Sequence, residues 1–284
     1  MKPGELITAL VDSATQKTAL RPRDLIIRGA LAGALLGVSS AFATYATVQT
    51  GLPIVGALVF PVGLAIIVLL GLELVTGAFG IMPVGVHGGR VKPSALLPSW
   101  SWIFVGNLFG SLVFGMLLAV ALTTAMHAPD KTGLVNKLIL VATAKTVGYQ
   151  HAGAAGMFTA FVKAILCNWL VALAVVLAMG SRSTIGKIAA AWLPVTIFYA
   201  MGFEHAVVNM FLIPTAMLLG AKISFFQWLV WNQIPVTIGN LVGGYLFTGG
   251  ALYLAHAKSA PAAETAPAVT PVHENGLVPA PVPV

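Results

Sequence analysis

The sequence predicts an all-α membrane protein with six transmembrane helices per protomer, arranged as a 3+3 inverted repeat in which helices 2 and 5 are broken. Three observations lead there. Hydrophobic residues make up 58% of the 284-residue chain and charged residues only 8%, whereas a soluble domain carries about 25% charge. Six apolar stretches reach the roughly 20 residues that a helical span needs. Local matches recur between the two halves of the chain at nearly constant spacing.

The mean hydropathy of +0.94 leaves no soluble globule of this size enough interior to hide its apolar surface. The net charge of +7 is therefore read as membrane orientation, and nucleic acid is not expected as a partner. The single cysteine, Cys167, excludes an internal disulfide and any multi-cysteine metal site. The first 24 residues lack the apolar core of a signal peptide.

Residues 1–24 read as a cytoplasmic N-terminal segment. Its stretch 3–19 places Leu6, Leu10 and Ala14 on one side, as in an interfacial amphipathic helix. The six spans fall at 25–49, 54–85, 100–126, 157–180, 186–219 and 233–256, within one transporter domain over 25–256. Its repeat halves cover about 25–126 and 157–256. The second and fifth spans are too long and too glycine-rich for plain helices. Gly71-Leu72-Glu73-Leu74-Val75-Thr76-Gly77 interrupts the one and Gly202-Phe203-Glu204-His205 the other. Irregular backbone at membrane depth is tolerated only where protein buries it or a watery cavity meets it. Residues 257–284 are rich in Ala, Pro and Val without a packing period, and read as a disordered cytoplasmic tail.

With both termini inside, ten Lys and Arg fall on inner segments and four, Lys131, Lys137, Lys145 and Lys222, on outer loops. The repeat rests on three matches. Arg28-Gly29-Ala30-Leu31 pairs with Lys163-Ala164-Ile165-Leu166, an offset of 135. Gly71-Leu72-Glu73 pairs with Gly202-Phe203-Glu204, an offset of 131. Val105 to Gly110 pairs with Ile238 to Gly243, an offset of 133. Three spans per half force the second half upside down, and interrupted helices at matching places point to transport through the repeat interface. The Gly-Asn-Leu-x-Gly segments suit close helix contact.

Only two acids lie within the spans, Glu73 and Glu204, both at the breaks. Each carboxylate is expected to accept backbone N–H bonds freed by its break; a proton-handling role is the functional alternative. His205 sits at the second break and titrates nearest physiological pH, so it is the first candidate for substrate or proton contact. No second histidine or cysteine stands at ligand spacing for a metal. Thr76 can back-bond to its helix or donate to an anion. Lys163 is expected to snorkel to an interface. Phe60, Leu64 and Phe198 have the periodicity of ordinary core or lipid-facing residues.

Taken together, Lys163 to Val171, Gly202 to Met210 and Ile234 to Gly244, with Gly71 to Gly77 as a looser fourth match, resemble the formate/nitrite transporter family over residues 5–256. The resemblance implies an aquaporin-like protomer with its own pore, a homopentamer in a bacterial inner membrane, and no cofactor. It implies passage of small monovalent anions, formate and/or nitrite, coupled to protons through a central histidine. Acetate or hydrosulfide, carried by relatives, are alternatives. His205 resembles that histidine, and Thr76 the threonine facing it. Phe60, Leu74, Val75 and Val171 correspond to an outer constriction, Leu64 and Phe198 to an inner one. Asn168 and Asn240 match polar positions beside the path, and Lys145 the lysine of the outer vestibule. Three departures stand out: Val75 replaces a common aromatic, Glu73 replaces a commoner aspartate, and Tyr149 to Gly156 reads as an extra loop. A neutral-solute channel of the aquaporin type would carry Asn-Pro-Ala pairs, which the sequence lacks. A membrane-embedded enzyme would need a nucleophile or cofactor motif beside Glu73, Glu204 and His205, and none accompanies them. A structural or receptor role would leave the polar groups merely bonding the breaks.

Overall fold

The computed structural model describes residues 1–128, 130 and 132–259. Among these residues the regular structure is entirely helical. The predicted tail lies outside them from residue 260 onward, as does Lys131.

α1 (Pro3–Thr18) begins at a capping box, with Glu5 accepting from the Lys2 N–H at 3.1 Å. Its apolar face lies on protein rather than on lipid. Ile7, Leu10 and Ala14 are buried against Ile81, Val84, Val91 and Val176. The stripe read from the sequence is the face that packs on the bundle.

α2 (Pro22–Thr50) starts with proline in its first turn and ends at Gly51 in the left-handed region. α3 (Pro53–Val59) and α4 (Val62–Leu69) together make the first half of the second stretch, and α5 (Val75–His87) the second half. α6 (Leu96–Leu122) closes the first set. α7 (Leu134–Ala144) follows a turn in which Asp130 accepts from the Thr132 N–H and hydroxyl and from the Val135 N–H. Partial burial pushes the Asp130 carboxyl up, but those donors outweigh it and hold the group below the usual carboxylate range.

α8 (Val147–His151) and α9 (Gly153–Met179) run through 149–156, so the segment expected as an extra loop is helical around a kink at Gly153. α10 (Thr184–Ala200) and α11 (Ala206–Leu218) form the second broken stretch. α12 (Phe225–Trp228), α13 (Ile234–Gly244) and α14 (Ala251–His256) form one last rod, widened by π turns at Leu229–Gln233 and Tyr245–Gly250. A three-residue turn, Ala257–Ser259, follows. Three helical stretches are long and apolar enough by themselves to cross a membrane: Pro22–Thr50, Pro93–Leu122 and Gly153–Met179.

α2 packs along α6, and α9 along α13. The half-helices cross over: α5 packs on α9 and α13, while α11 packs on α6 and α2. Glycines make these contacts close. A Cβ at Gly106 would stand 2.5 Å from the Ile26 carbonyl oxygen, and one at Gly239 2.5 Å from that of Phe161. The packing role read from the Gly-Asn-Leu-x-Gly segments rests on these approaches.

Gly239→Val should force α13 off α9. The expected loss is about 1–3 kcal/mol of stability, read as a lower thermal midpoint of the detergent-solubilised protein. A midpoint equal to wild type would mean that the helices are not held at this separation.

Candidate functional site

The site is built where two helices stop and restart. α4 ends at Leu69 and α5 begins at Val75; α10 ends at Ala200 and α11 begins at Ala206. Gly71 and Gly202 each take φ +62°, a conformation that admits few other residues. The extended segments that follow free backbone groups in a place without bulk water.

One asparagine answers each break. Asn107 Oδ1 accepts from the Val75 N–H at 2.9 Å, while its Nδ2 donates to Glu73 O at 2.8 Å and to Gly29 O at 2.9 Å. Asn240 Oδ1 accepts from the Ala206 N–H at 2.8 Å, while its Nδ2 donates to Glu204 O at 2.9 Å and to Ala164 O at 2.8 Å. Both asparagines are fully buried. This corrects the role expected of the two carboxylates. A carboxylate only accepts, whereas an amide both accepts and donates, so a single asparagine closes the N–H and the C=O of one break.

The carboxylates bind lysines instead. Glu73 takes Lys17 Nζ with both oxygens at 2.6 Å. Glu204, 1% exposed, takes Lys145 Nζ at 2.8 Å and the Tyr149 hydroxyl at 2.7 Å on Oε1. Asn209 donates to its Oε2 at 2.8 Å and Asn232 at 3.3 Å. Asn232 also donates to Lys145 O at 3.0 Å and accepts from Asn209 at 2.9 Å. The π turn Leu229–Gln233 carries Asn232 into this network.

His205 caps α11 with its own side chain. Its Nδ1 accepts the Val208 N–H at 3.2 Å, which requires that nitrogen to be bare. The ring proton of the neutral imidazole then sits on Nε2, 3.2 Å from Thr76 Oγ1. Thr76 thus meets His205, a partner outside the two alternatives stated for it. Asn168 ties the two halves by donating to Thr76 O at 3.0 Å and Asn240 O at 2.6 Å. The Lys163 ammonium stands 6.0 Å from the centre of the Tyr149 ring.

Two cavities approach this centre. One, of about 190 Å³, is lined by Lys145, Lys137, Tyr199, Phe198 and His205 among others. The other, of about 160 Å³, is lined by Lys17, Glu73, Leu64, Leu74 and Gly77 among others. Phe60, Leu64, Leu74, Val75, Val171 and Phe198 are all buried in one apolar core. Their grouping differs from the expected rings. Phe198 lines the Lys145 cavity and meets Phe60 edge-on at 5.6 Å, although the two were expected at opposite constrictions. Leu74 shares the Lys17 cavity with Leu64. Side-chain size marks a residue as a constriction; only the crossing of the half-helices decides which mouth it meets.

Asn107, Asn209, Asn232, Tyr149 and Lys17 are site residues that the sequence reading did not single out. Asn107 had a signal, since it occupies the position of Asn240 in the repeat. Asn232 had none, because a π turn leaves no periodic mark.

The family model described as formate/nitrite transporter matches residues 4–254. A protein of Methanothermobacter thermautotrophicus named "Probable formate transporter" is 39% identical over 240 residues, 78% of this chain and 85% of that protein. A solved structure described as "FNT family ion channel" aligns with TM-score 0.75 at 26% identity, over 88% of this chain and 98% of the other. Another, described as "Pentameric formate channel with formate bound", aligns with TM-score 0.66 at 26% identity, over 83% of this chain and 98% of the other.

Asn240→Leu should strand the Ala206 N–H and two carbonyls, at about 1–3 kcal/mol for each buried group left unpaired. Asn107→Leu should cost a similar amount. Thermal melts of both variants test this; a loss confined to one of them would mean that the two breaks are held differently.

Proposed function

The chain belongs to the formate/nitrite transporter family, and from that premise we propose that it carries formate and/or nitrite as a weak acid through its own interior. The observation that carries this reading is the meeting of two half-helix N-termini at Thr76 and His205, between two cavities. A helix N-terminus favours negative charge. The centre is thus electropositive by its backbone, while the side chains on either side of it are apolar. The family consists of transporters, so the chain moves a solute rather than transforming one.

An anion loses too much hydration to cross Phe60, Phe198, Leu64, Leu74, Val75 and Val171 as a bare charge. The neutral acid crosses far more easily. In this reading the anion enters a cavity, gains a proton, and passes the apolar residues uncharged. Nε2–H of His205 and the Thr76 hydroxyl offer it hydrogen bonds at the centre. A second proton on His205 would fall on Nδ1 and oppose the Val208 N–H, so in this geometry the neutral ring lends the anion a hydrogen bond from Nε2 and the transferred proton comes from water. Glu204 holds Lys145 and borders the histidine by one peptide, which fixes the imidazole's setting. Asn168 and Asn240 hold the backbone around the path rather than the solute.

The equivalent bonding of Asn107 and Asn240 supports six spans in two inverted halves, about 25–126 and 157–256, within a domain over 25–256. In this reading the tail 257–284 stands apart from the pathway. The arginine and lysine bias supports cytoplasmic ends, with the Lys17 cavity inside and the Lys145 cavity outside. Likeness to a pentameric formate channel supports a homopentamer in a lipid bilayer, and a bacterial inner membrane suits that assembly.

The test is uptake into proteoliposomes holding a pH-sensitive dye, with formate, nitrite, acetate and chloride compared at two external pH values. Internal acidification by formate or nitrite, steeper at low pH and above protein-free liposomes, is expected. His205→Phe should abolish the pH dependence or the uptake. No signal above liposomes for any of the anions would overturn the reading, and unchanged flux and pH dependence in the variant would remove His205 from it.

A further inference from the structure

We propose that Lys137 forms an anion-holding station at the mouth of the Lys145 cavity and is the charge that recruits the small anion. This deepens the transport reading and rests on it. Two lysines line that cavity, and they differ in what they can offer. Lys145 is 2.8 Å from Glu204 and its side chain is only 16% exposed. At any distance beyond that pair the two charges largely cancel, leaving a dipole. Lys137 has no ion-pair partner among the described residues, so it brings a net positive charge to the lining.

Its position on the fold fits an entrance. Lys137 lies in the first turn of α7, and Lys145 caps the far end of the same helix. Eight residues of helix separate them by about 12 Å along the axis. Lys145 reaches the buried Glu204, so Lys137 stands toward the open end. A cation in the first turn of a helix opposes the helix dipole. Asp130, the acid nearest in sequence, is already taken by Thr132 and Val135. The lysine is therefore placed where local structure does not favour it, and where the cavity opens.

Two hydroxyls of the cavity are already spent on their own helix. The Thr44 hydroxyl donates to Ser40 O at 2.7 Å and the Thr47 hydroxyl to Ala43 O at 3.0 Å. Both turn lone pairs, not protons, toward the cavity. The opposite cavity lacks such a charge: its charged lining is Lys17 and Glu73, bonded to each other. The linings of the two cavities thus differ by about one unit of charge.

The experiment compares wild type, Lys137→Gln and Lys137→Arg in formate influx, at about 0.01 M and 0.3 M ionic strength, where the screening length falls from about 30 Å to well under 10 Å. Influx is measured from each face, in sealed right-side-out and inverted vesicles. For Lys137→Gln at low salt, half-saturating formate on the Lys137 face should rise about two- to fivefold, with little change in maximal rate. The difference should close at high salt, be absent from the opposite face, and vanish in Lys137→Arg. Equal half-saturation of Lys137→Gln and wild type at low salt overturns the station and leaves the transport reading standing. A difference that persists at high salt or appears equally from both faces also overturns it, by marking a structural defect. Wild-type protein that moves no formate overturns both.

Discussion

A carbonyl or amide set free inside a membrane must find its partner within the protein. That constraint shapes this molecule more than any other. Each of its two broken helices exposes such groups, and each break is closed by one buried asparagine that donates in two directions and accepts in a third. The third group bonded, Gly29 O or Ala164 O, belongs to the first long helix of the same half. One side chain therefore fixes the break, the helix that carries the asparagine and a neighbouring helix at a single point. The glycines one residue before Asn107 and Asn240 serve the same end, because the asparagines reach those carbonyls only when the helices nearly touch.

With the backbone satisfied by amides, the two carboxylates are released for charge. Glu73 and Glu204 each hold a lysine, from α1 and from the end of α7 respectively. Buried ion pairs contribute little net stability once desolvation is counted. Their value here is positional. Each brings charged groups close to the apolar core. Tyr149, Asn209 and Asn232 surround the Glu204 carboxylate with donors, and the Lys145 ammonium is thereby held in one place.

What the sequence made legible follows from what repeats in it. Glu73 and Glu204 stand out because acids are rare in apolar runs, and Gly71 and Gly202 because glycine-rich interruptions break a span. The matched Gly-Asn-Leu-x-Gly segments already held both closing asparagines, but only Asn240 was singled out, since Asn107 lacked a resemblance to direct attention to it. The partner of each carboxylate was not legible. Lys17 and Glu73 lie 56 positions apart, and no spacing rule links them. The division of apolar residues between the two mouths was also hidden, because α5 and α11 cross into the opposite half. The segment 149–156 reads as an extra loop because the chain looks longer there than the family it resembles, yet Gly153 merely bends a helical run whose Tyr149 bonds Glu204.

Asn168 adds a consequence of a different kind. It grips Thr76 O in one half and Asn240 O in the other, at the level where the broken helices meet. A carrier that alternates by swinging one half against the other would have to break the bond to Thr76 in every cycle, and such collective motions run on microsecond to millisecond scales. Rotation of Phe60, Phe198 or Leu64 does not break it. Side chains turn far faster than domains move, so a path opened by them is limited by the arrival of solute rather than by a mechanical stroke.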